Sequence, residues 1–277
     1  MTARLLDGRE LASRLRRELS ARVDRMPDSP RLAIVRDGSS DAASLYAASL
    51  ERAAAGIGLM SESIVGPGEG YDELIGALNA DPSVAGIVVA QPFADVAAGR
   101  RLVELIDPMK DVDGATPTNA GRLARGEPAF VPATALAVIA TIEAFGIPVA
   151  GQRVVVVGRS AVVGRPVASL LLARDATVVI CHRATRHVAR ETRRAEVLVV
   201  AAGSPKLIGP EMVNPSAVVI DCGINALDGR VVGDVDFEAV SPVVRAITPV
   251  PGGIGPVTPM MVLRQTVESA ERMAAPA

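Results

Sequence analysis

The stretch VVVVGRSAVVGRP (154–166) sets Gly158 and Gly164 between a β-branched run and a helix that Pro166 would open. Glycines at such a turn let phosphates approach backbone N–H groups at the helix start. Ser160 stands where G-x-G-x-x-G has its second glycine, so the motif alone also fits an ordinary strand-to-helix turn. Arg159 lies in the turn. Arg183 follows the next strand, in VVICHRAT, where dinucleotide-binding folds place the residue that meets the adenosine ribose. A base there favours a 2′-phosphate, hence NADP; two solvated surface arginines are the alternative.

Two further stretches invite a ligand. ITPVPGGIGPVTP (247–259) has four prolines and three glycines in thirteen residues, a density that excludes a regular element. Its glycines would let backbone approach a flat ring while the prolines stiffen the loop. KDVDG (110–114) offers Asp111 and Asp113, and a buried carboxylate can accept paired N–H bonds from an amino-pyrimidine or sit beside a growing cation. A polar turn is the plainer reading of that pentapeptide. In SLYAASLERAAAGIGL (44–59), Tyr46 stands one helical turn before Leu50, a lone hydroxyl among small apolar residues.

Composition narrows the classes of function. The 277 residues are 49% hydrophobic but 2% aromatic, so the core is built from Ala, Val, Leu and Ile, as in buried parallel strands covered by helices. A net charge of −2 gives no reason to expect nucleic acid or an acidic membrane as partner. Two histidines and two isolated cysteines rule out a histidine-rich metal site and a disulfide framework. No uncharged run is long enough for a membrane span and the amino terminus lacks a leader-like core, so a cytoplasmic location is expected. Of the 29 basic residues only Lys110 and Lys206 are lysines.

The elements that must position these residues alternate. Helices are predicted over GRELASRLRRELSARV, SLYAASLERAAAGIGL, YDELIGALNAD and AGRRLVELID, separated by the strands RLAIV, SESIV and VAGIVVAQP. Residues 108–134 break the rhythm and read as a long loop. ALAVIATIEAFG resumes it, followed by the strands RVVVVG, TVVICH, VLVVAAG, AVVIDCG and AITPV, and a last helix PMMVLRQTVESAERM. The pattern is α/β with mostly parallel strands, divided near residue 135.

GRSAVVGRP, CGIN (222–225), VVGDV (231–235), PVPGGIGPVT, KDVDG and LYAAS stand in the order and spacing of the methylenetetrahydrofolate dehydrogenase/cyclohydrolase family, FolD. The chain resembles that family from LLDGREL to its last helix. The resemblance implies two α/β domains. Residues 1–135, joined by the returning helix 256–277, would bind folate, and residues 136–255 would form a Rossmann-type NADP-binding domain. It also implies a homodimer that oxidises 5,10-methylenetetrahydrofolate to the methenyl cation, which water opens to 10-formyltetrahydrofolate. Carried over residue by residue, Tyr46 lies along the folate and Asp113 binds the pterin; these are the catalytic candidates. Pro251, Gly252 and Gly253 would line the substrate cleft. Thr134, Gly158, Arg159, Ser160, Gly164, Arg183, Gly223 and Ile224 would contact the cofactor.

The chain departs from the family at two polar positions. Where the pattern has Y-x-x-x-K, YAASL puts Leu50. The glutamine expected after GIVV is displaced, since VVAQP gives Ala90 there and Gln91 next. One step along a strand reverses the side chain, so Gln91 points away unless the strand bulges. VPATA (131–135) replaces P-C-T-P but keeps Thr134. Moving protons to and from water is worth about 10²–10⁴ in rate, and an aliphatic side chain cannot do it. The expectation is therefore oxidation with weak or absent hydrolysis. A full bifunctional enzyme, a paralogue acting on another pterin-like substrate, and a non-catalytic binding protein are the alternatives.

Overall fold

A computed structural model describes residues 3–66 and 70–274. The chain opens with β1 (Arg4–Leu5) and α1 (Gly8–Val23), then alternates β2 (Arg31–Arg36), α2 (Asp41–Ala55), β3 (Met60–Val65), α3 (Tyr71–Ala80), β4 (Val84–Ala90) and α4 (Val96–Leu105). It divides into two compact units. One comprises Ser13–Pro132 and the chain from Pro259; the other comprises Ala133–Thr258 and the chain up to Ala12. The divisions fall inside α1 and inside α10 (Ile254–Ala274).

The first unit is built on a parallel sheet in the order β3-β2-β4. Every residue of β4 is buried, as its unbroken apolar run requires. Ile75, Leu78, Leu102 and Phe93 close one core against Ala33, Val35, Ile87 and Val89. Ser40 caps α2, its hydroxyl accepting from the Ala43 N–H at 3.2 Å. The buried face of that helix runs Ala43, Ala47, Leu50 and Ala54. Leu50 is 0% exposed and belongs to this stripe.

The stretch 108–134 is not one loop. It contains α5 (Pro117–Ala124), whose Thr116 cap accepts from the Asn119 N–H at 3.2 Å and whose first position is proline. Gln265 of α10 clamps the same stretch. Its Oε1 accepts from Val131 N–H at 2.9 Å, and its Nε2 donates to the carbonyls of Val112 (2.7 Å) and Val131 (2.9 Å).

The second unit holds α6 (Ala133–Ala144), β5 (Arg153–Val157), α7 (Gly164–Leu172), β6 (Thr177–Cys181), α8 (Val188–Thr192), β7 (Val197–Val200), β8 (Val218–Asp221), β9 (Asn225–Leu227), β10 (Arg230–Val232), α9 (Phe237–Val240) and β11 (Ala246–Ile247). Its six-stranded sheet has the order β1-β11-β8-β7-β5-β6, and every pairing is parallel. Counted from β5, this is the doubly wound order 2-1-3-4-5, with β1 added at the edge. That pairing draws the amino terminus into this unit, unlike the sequence-based boundary that kept residues 1–135 together. The stretch 247–259 also differs from expectation: α10 already begins at Ile254, with Pro256 in its first turn and Pro259 inside it. No helix among the described residues is long and apolar enough to cross a membrane.

Replacing Gln265 by leucine leaves a buried N–H and two carbonyls without their partners, at about 1–3 kcal/mol for each unsatisfied group. The urea midpoint of the Gln265→Leu variant is expected to fall markedly, and a Gln265→Glu variant should fall as well, because a buried carboxylate brings no N–H to the two carbonyls. Equal midpoints for the Gln265→Leu variant and the wild-type protein would show that the clamp contributes nothing.

Candidate functional site

The cofactor candidates gather at the carboxyl ends of the parallel strands of the second unit. Gly158 follows β5, with φ of +129°. A Cβ there would lie 2.1 Å from the Ala201 carbonyl oxygen at the end of β7, and one on Gly164 would lie 2.2 Å from the Gly158 oxygen. Since β5 and β7 are the neighbours at which strand order reverses, Gly158 sits at the topological switch point, where open α/β sheets bind ligands. The expectation of free N–H groups at the helix start needs correcting. Ser160 Oγ, in the turn before α7, accepts from the N–H of Val163 (3.1 Å) and of Gly164 (3.4 Å), so a hydroxyl already engages the helix start.

The basic candidates of this region lie at the surface. Arg159 and Arg183 are both exposed. The turn that carries Arg183 is tied twice: His182 Nδ1 accepts from the Ala184 N–H at 3.2 Å, and Thr185 Oγ1 accepts from the His182 N–H at 3.0 Å. Thr134 is half-buried in the first turn of α6, and Ile224 is 72% exposed after β8.

Two buried carboxylates organise the loops around Gly223. Asp221 accepts from the N–H groups of Gly223 (2.8 Å), Asp234 (3.1 Å) and Val235 (2.9 Å). Asp234 accepts from those of Ala202 (2.6 Å), Gly203 (2.9 Å) and Ser204 (2.8 Å), and from Asn225 Nδ2 at 2.8 Å. A Cβ on Gly223 would meet the Asp234 carboxyl at 2.5 Å, and one on Gly233 would meet Asp221 Oδ2 at 1.9 Å. The glycines in CGIN and VVGDV are thus the spaces these carboxylates fill. Desolvation pushes Asp221 up to about 6 against the pull of its N–H donors. Burial and the two carboxylates hold the Cys222 thiol protonated. Neither aspartate was singled out by sequence; the signal was the glycine beside each.

The loop holding Pro251, Gly252 and Gly253 is anchored by the amino terminus, since Gly8 N–H donates to the Gly252 carbonyl at 2.9 Å and Arg9 Nη2 reaches the Pro251 carbonyl at 3.5 Å.

In the first unit, Tyr46 and Asp113 come together. The Tyr46 hydroxyl is held well above its ordinary pKa, first by desolvation and then by the charge of Asp113. Asp113 is half-buried in the loop before α5. Ala90 is 1% exposed. Gln91 accepts from the Phe93 N–H (3.2 Å) and donates to the Gly99 carbonyl (3.4 Å), so its amide secures the start of α4. The register shift of β4 lies at the strand's other end, opposite Arg31 and Leu32, and pairing from Gly86 to Ala90 is regular.

The geometry defines a two-unit α/β protein with one doubly wound, nucleotide-type sheet. Residues 6–113 match the catalytic domain of tetrahydrofolate dehydrogenase/cyclohydrolase, and residues 132–274 match the NAD(P)-binding domain of the same proteins. The bifunctional protein FolD of Parafrankia sp. is 45% identical over 272 residues, covering 96% of this chain and 99% of the relative. Among solved structures, the FolD methylenetetrahydrofolate dehydrogenase/cyclohydrolase of Campylobacter jejuni is 38% identical with a TM-score of 0.93, covering 97% of this chain and 98% of that one. The Trypanosoma brucei N5,N10-methylenetetrahydrofolate dehydrogenase-cyclohydrolase, solved with NADP and an inhibitor, is 34% identical with a TM-score of 0.92, each chain covered to 98%. The chain belongs to the tetrahydrofolate dehydrogenase/cyclohydrolase family.

Asp221 gives a pH signature. Its folded pKa of about 6 lies above the ordinary 3.8. The stabilisation tied to its protonation is therefore complete below about pH 4 and is lost as pH rises through about 6. An Asp221→Asn variant should lack that component, flattening the fall in unfolding free energy from urea titrations between about pH 5 and pH 7 by an amount on the order of 1 kcal/mol. Parallel pH profiles for the two proteins would contradict the assignment.

Proposed function

We propose that the chain is an NADP-dependent 5,10-methylenetetrahydrofolate dehydrogenase of one-carbon metabolism whose cyclohydrolase step is slow. The observation that carries the second clause is the pair of sealed apolar side chains, Leu50 and Ala90, at the positions where the family pattern has lysine and glutamine. The unit holding β5 to β8 would bind the cofactor, and Ser13–Pro132 would supply the folate contacts. By the same resemblance the protein acts in the cytoplasm as a homodimer.

The residues present fit NADP. Gly158 stands at the switch point between β5 and β7, and Arg159 and Arg183 are exposed cations with no ion-pair partner among the described residues. When bound, the cofactor accepts a hydride from the one-carbon bridge. Asp113 contributes a carboxylate that holds the pterin and favours the positive charge left on the bridge. Tyr46, kept neutral by burial and by Asp113, offers its ring and a hydroxyl donor along the folate. Oxidation needs only this alignment and a place for growing charge. Hydrolysis needs a group that takes a proton from water, and Leu50 has none.

A second reading, that both activities are intact, is favoured by the full-length likeness to relatives called bifunctional. One cuvette separates the two. With methylenetetrahydrofolate and NADP⁺, reduced nicotinamide and the methenyl product should rise together, and the methenyl band should persist. Its rapid decay to the formyl compound would support the bifunctional reading; no reduction at high protein would reject the dehydrogenase itself. Leu50→Lys combined with Ala90→Gln should speed methenyl decay by about 10²-fold or more.

Replacing Arg159 and Arg183 by serine removes two charged hydrogen bonds to a 2′-phosphate, each worth about 1.5–3 kcal/mol. The preference for NADP over NAD should fall by roughly 10²-fold or more. An unchanged ratio would refute the cofactor assignment.

A further inference from the structure

Lys110 stands out by what surrounds it. The residue is 6% exposed although it carries an ammonium. Nζ donates to the carbonyls of Leu78 (3.2 Å), Asn79 (2.7 Å) and Asp81 (2.7 Å), the last turn and C-cap of α3. That helix has no basic residue in its own last turn. The negative end of its dipole and its orphan carbonyls are therefore met by a cation 29 residues beyond the cap. Lys110 is also fixed by its backbone, whose carbonyl accepts from the Ile87 N–H of β4 at 2.7 Å.

The chain otherwise avoids lysine. Of its 29 basic residues all but Lys110 and Lys206 are arginine, so coding or surface preference does not account for an ammonium at 110. Geometry does. Three carbonyl oxygens converging on one nitrogen match the three donors of an ammonium. A guanidinium is a wider planar fork that cannot direct three N–H bonds from one atom.

The next residue closes the other side. Asp111 is 1% exposed, and its carboxylate accepts from the N–H groups of Ala115 (3.0 Å) and Thr116 (2.8 Å) and from Asn119 Nδ2 (2.9 Å). Between Asp111 and the Ala115 and Thr116 N–H groups that its carboxylate holds, the chain has only a short arc, and Asp113 is on it.

We propose that Lys110 is a positioning residue for folate recognition: seated in the carbonyl cage at the end of α3, it sets the place of Asp113 without touching substrate. The inference rests on the reading of Asp113 as the pterin contact. It makes the sequence K-D-V-D-G one device, in which the first lysine anchors, the first aspartate latches and the second aspartate binds.

The test is a double-mutant cycle with KM for methylenetetrahydrofolate and for NADP⁺ measured separately. Lys110→Met should raise the folate KM by about tenfold while the NADP⁺ KM stays within about twofold. Lys110→Arg should fail to restore it, and this variant keeps the test open should the methionine variant not fold. Adding Lys110→Met to Asp113→Ala should raise the folate KM no further than Asp113→Ala alone, because the anchor acts through Asp113. Fully additive effects, or a parallel loss of folate and NADP⁺ affinity that tracks falling thermal stability, would overturn the proposal. If Asp113→Ala raises the folate KM and Lys110→Met does not, the anchor is wrong and the pterin contact stands. If Asp113→Ala changes nothing, the pterin contact itself fails, and a rise with Lys110→Met would then show the lysine acting on another group.

Discussion

A buried carboxylate ringed by backbone N–H groups is the interaction on which the candidate sites depend. It occurs at Asp111, Asp221 and Asp234, each 3% exposed or less. In each case a loop leaves a strand or precedes a helix with its N–H groups pointing inward and no carbonyl opposite them. An orphaned buried N–H costs as much as a lost hydrogen bond, and a buried carboxylate without donors costs more. The two problems cancel when one carboxylate collects three donors. This also explains why desolvation and hydrogen bonding oppose each other at Asp111 and Asp221, with desolvation the larger at both. The loops gain rigidity chiefly through backbone donors, with Asn119 and Asn225 the side chains that join them.

The same arrangement decides where glycine is needed. Gly223 and Gly233 each occupy the space next to an aspartate of the neighbouring strand end, and Gly158 occupies the space beside the Ala201 carbonyl. Close approach, more than turn geometry, makes these positions intolerant. Methyl groups there would collide with the Asp221 and Asp234 carboxyls and with the Ala201 carbonyl at the end of β7, so the glycines are part of the scaffold of the second unit.

Much of this architecture was legible in the sequence. The helical periodicity of Leu11, Leu15 and Leu19 placed α1, and the apolar runs placed β4, β5 and β7, because burial on both faces leaves no polar positions to confuse the pattern. What escaped was local chemistry overridden by expectation. Thr116-Pro117 is a helix start, but the surrounding glycines and prolines read as loop. Asp228 and Gly229, both at positive φ, make the hairpin turn between β9 and β10, a D-G signal hidden in a charged stretch. Proline density suggested that 247–259 was irregular throughout, yet a proline in a helix's first turn breaks nothing. Of the candidate site, Tyr46, Asp113 and the turn at Gly158 carry a signal in the sequence. Asp221, Asp234 and the seat of Lys110 carry none, since a residue that holds backbone has no side-chain spacing of its own.

Leu50 answers differently from its neighbours. A lysine in that register would place an ammonium within the buried stripe of Ala43, Ala47 and Ala54, where desolvation penalises charge unless polar partners converge on it. Ala90, equally sealed, offers no such partner in this chain. The two substitutions have the same character: each puts a buried apolar side chain where the family pattern is polar. Lys110 shows the converse case within the same unit, an ammonium kept in the interior because three carbonyls surround it. The fate of each buried cation follows from its acceptors. That rule separates Leu50, set among Ala43, Ala47 and Ala54, from Lys110, whose ammonium three carbonyls hold.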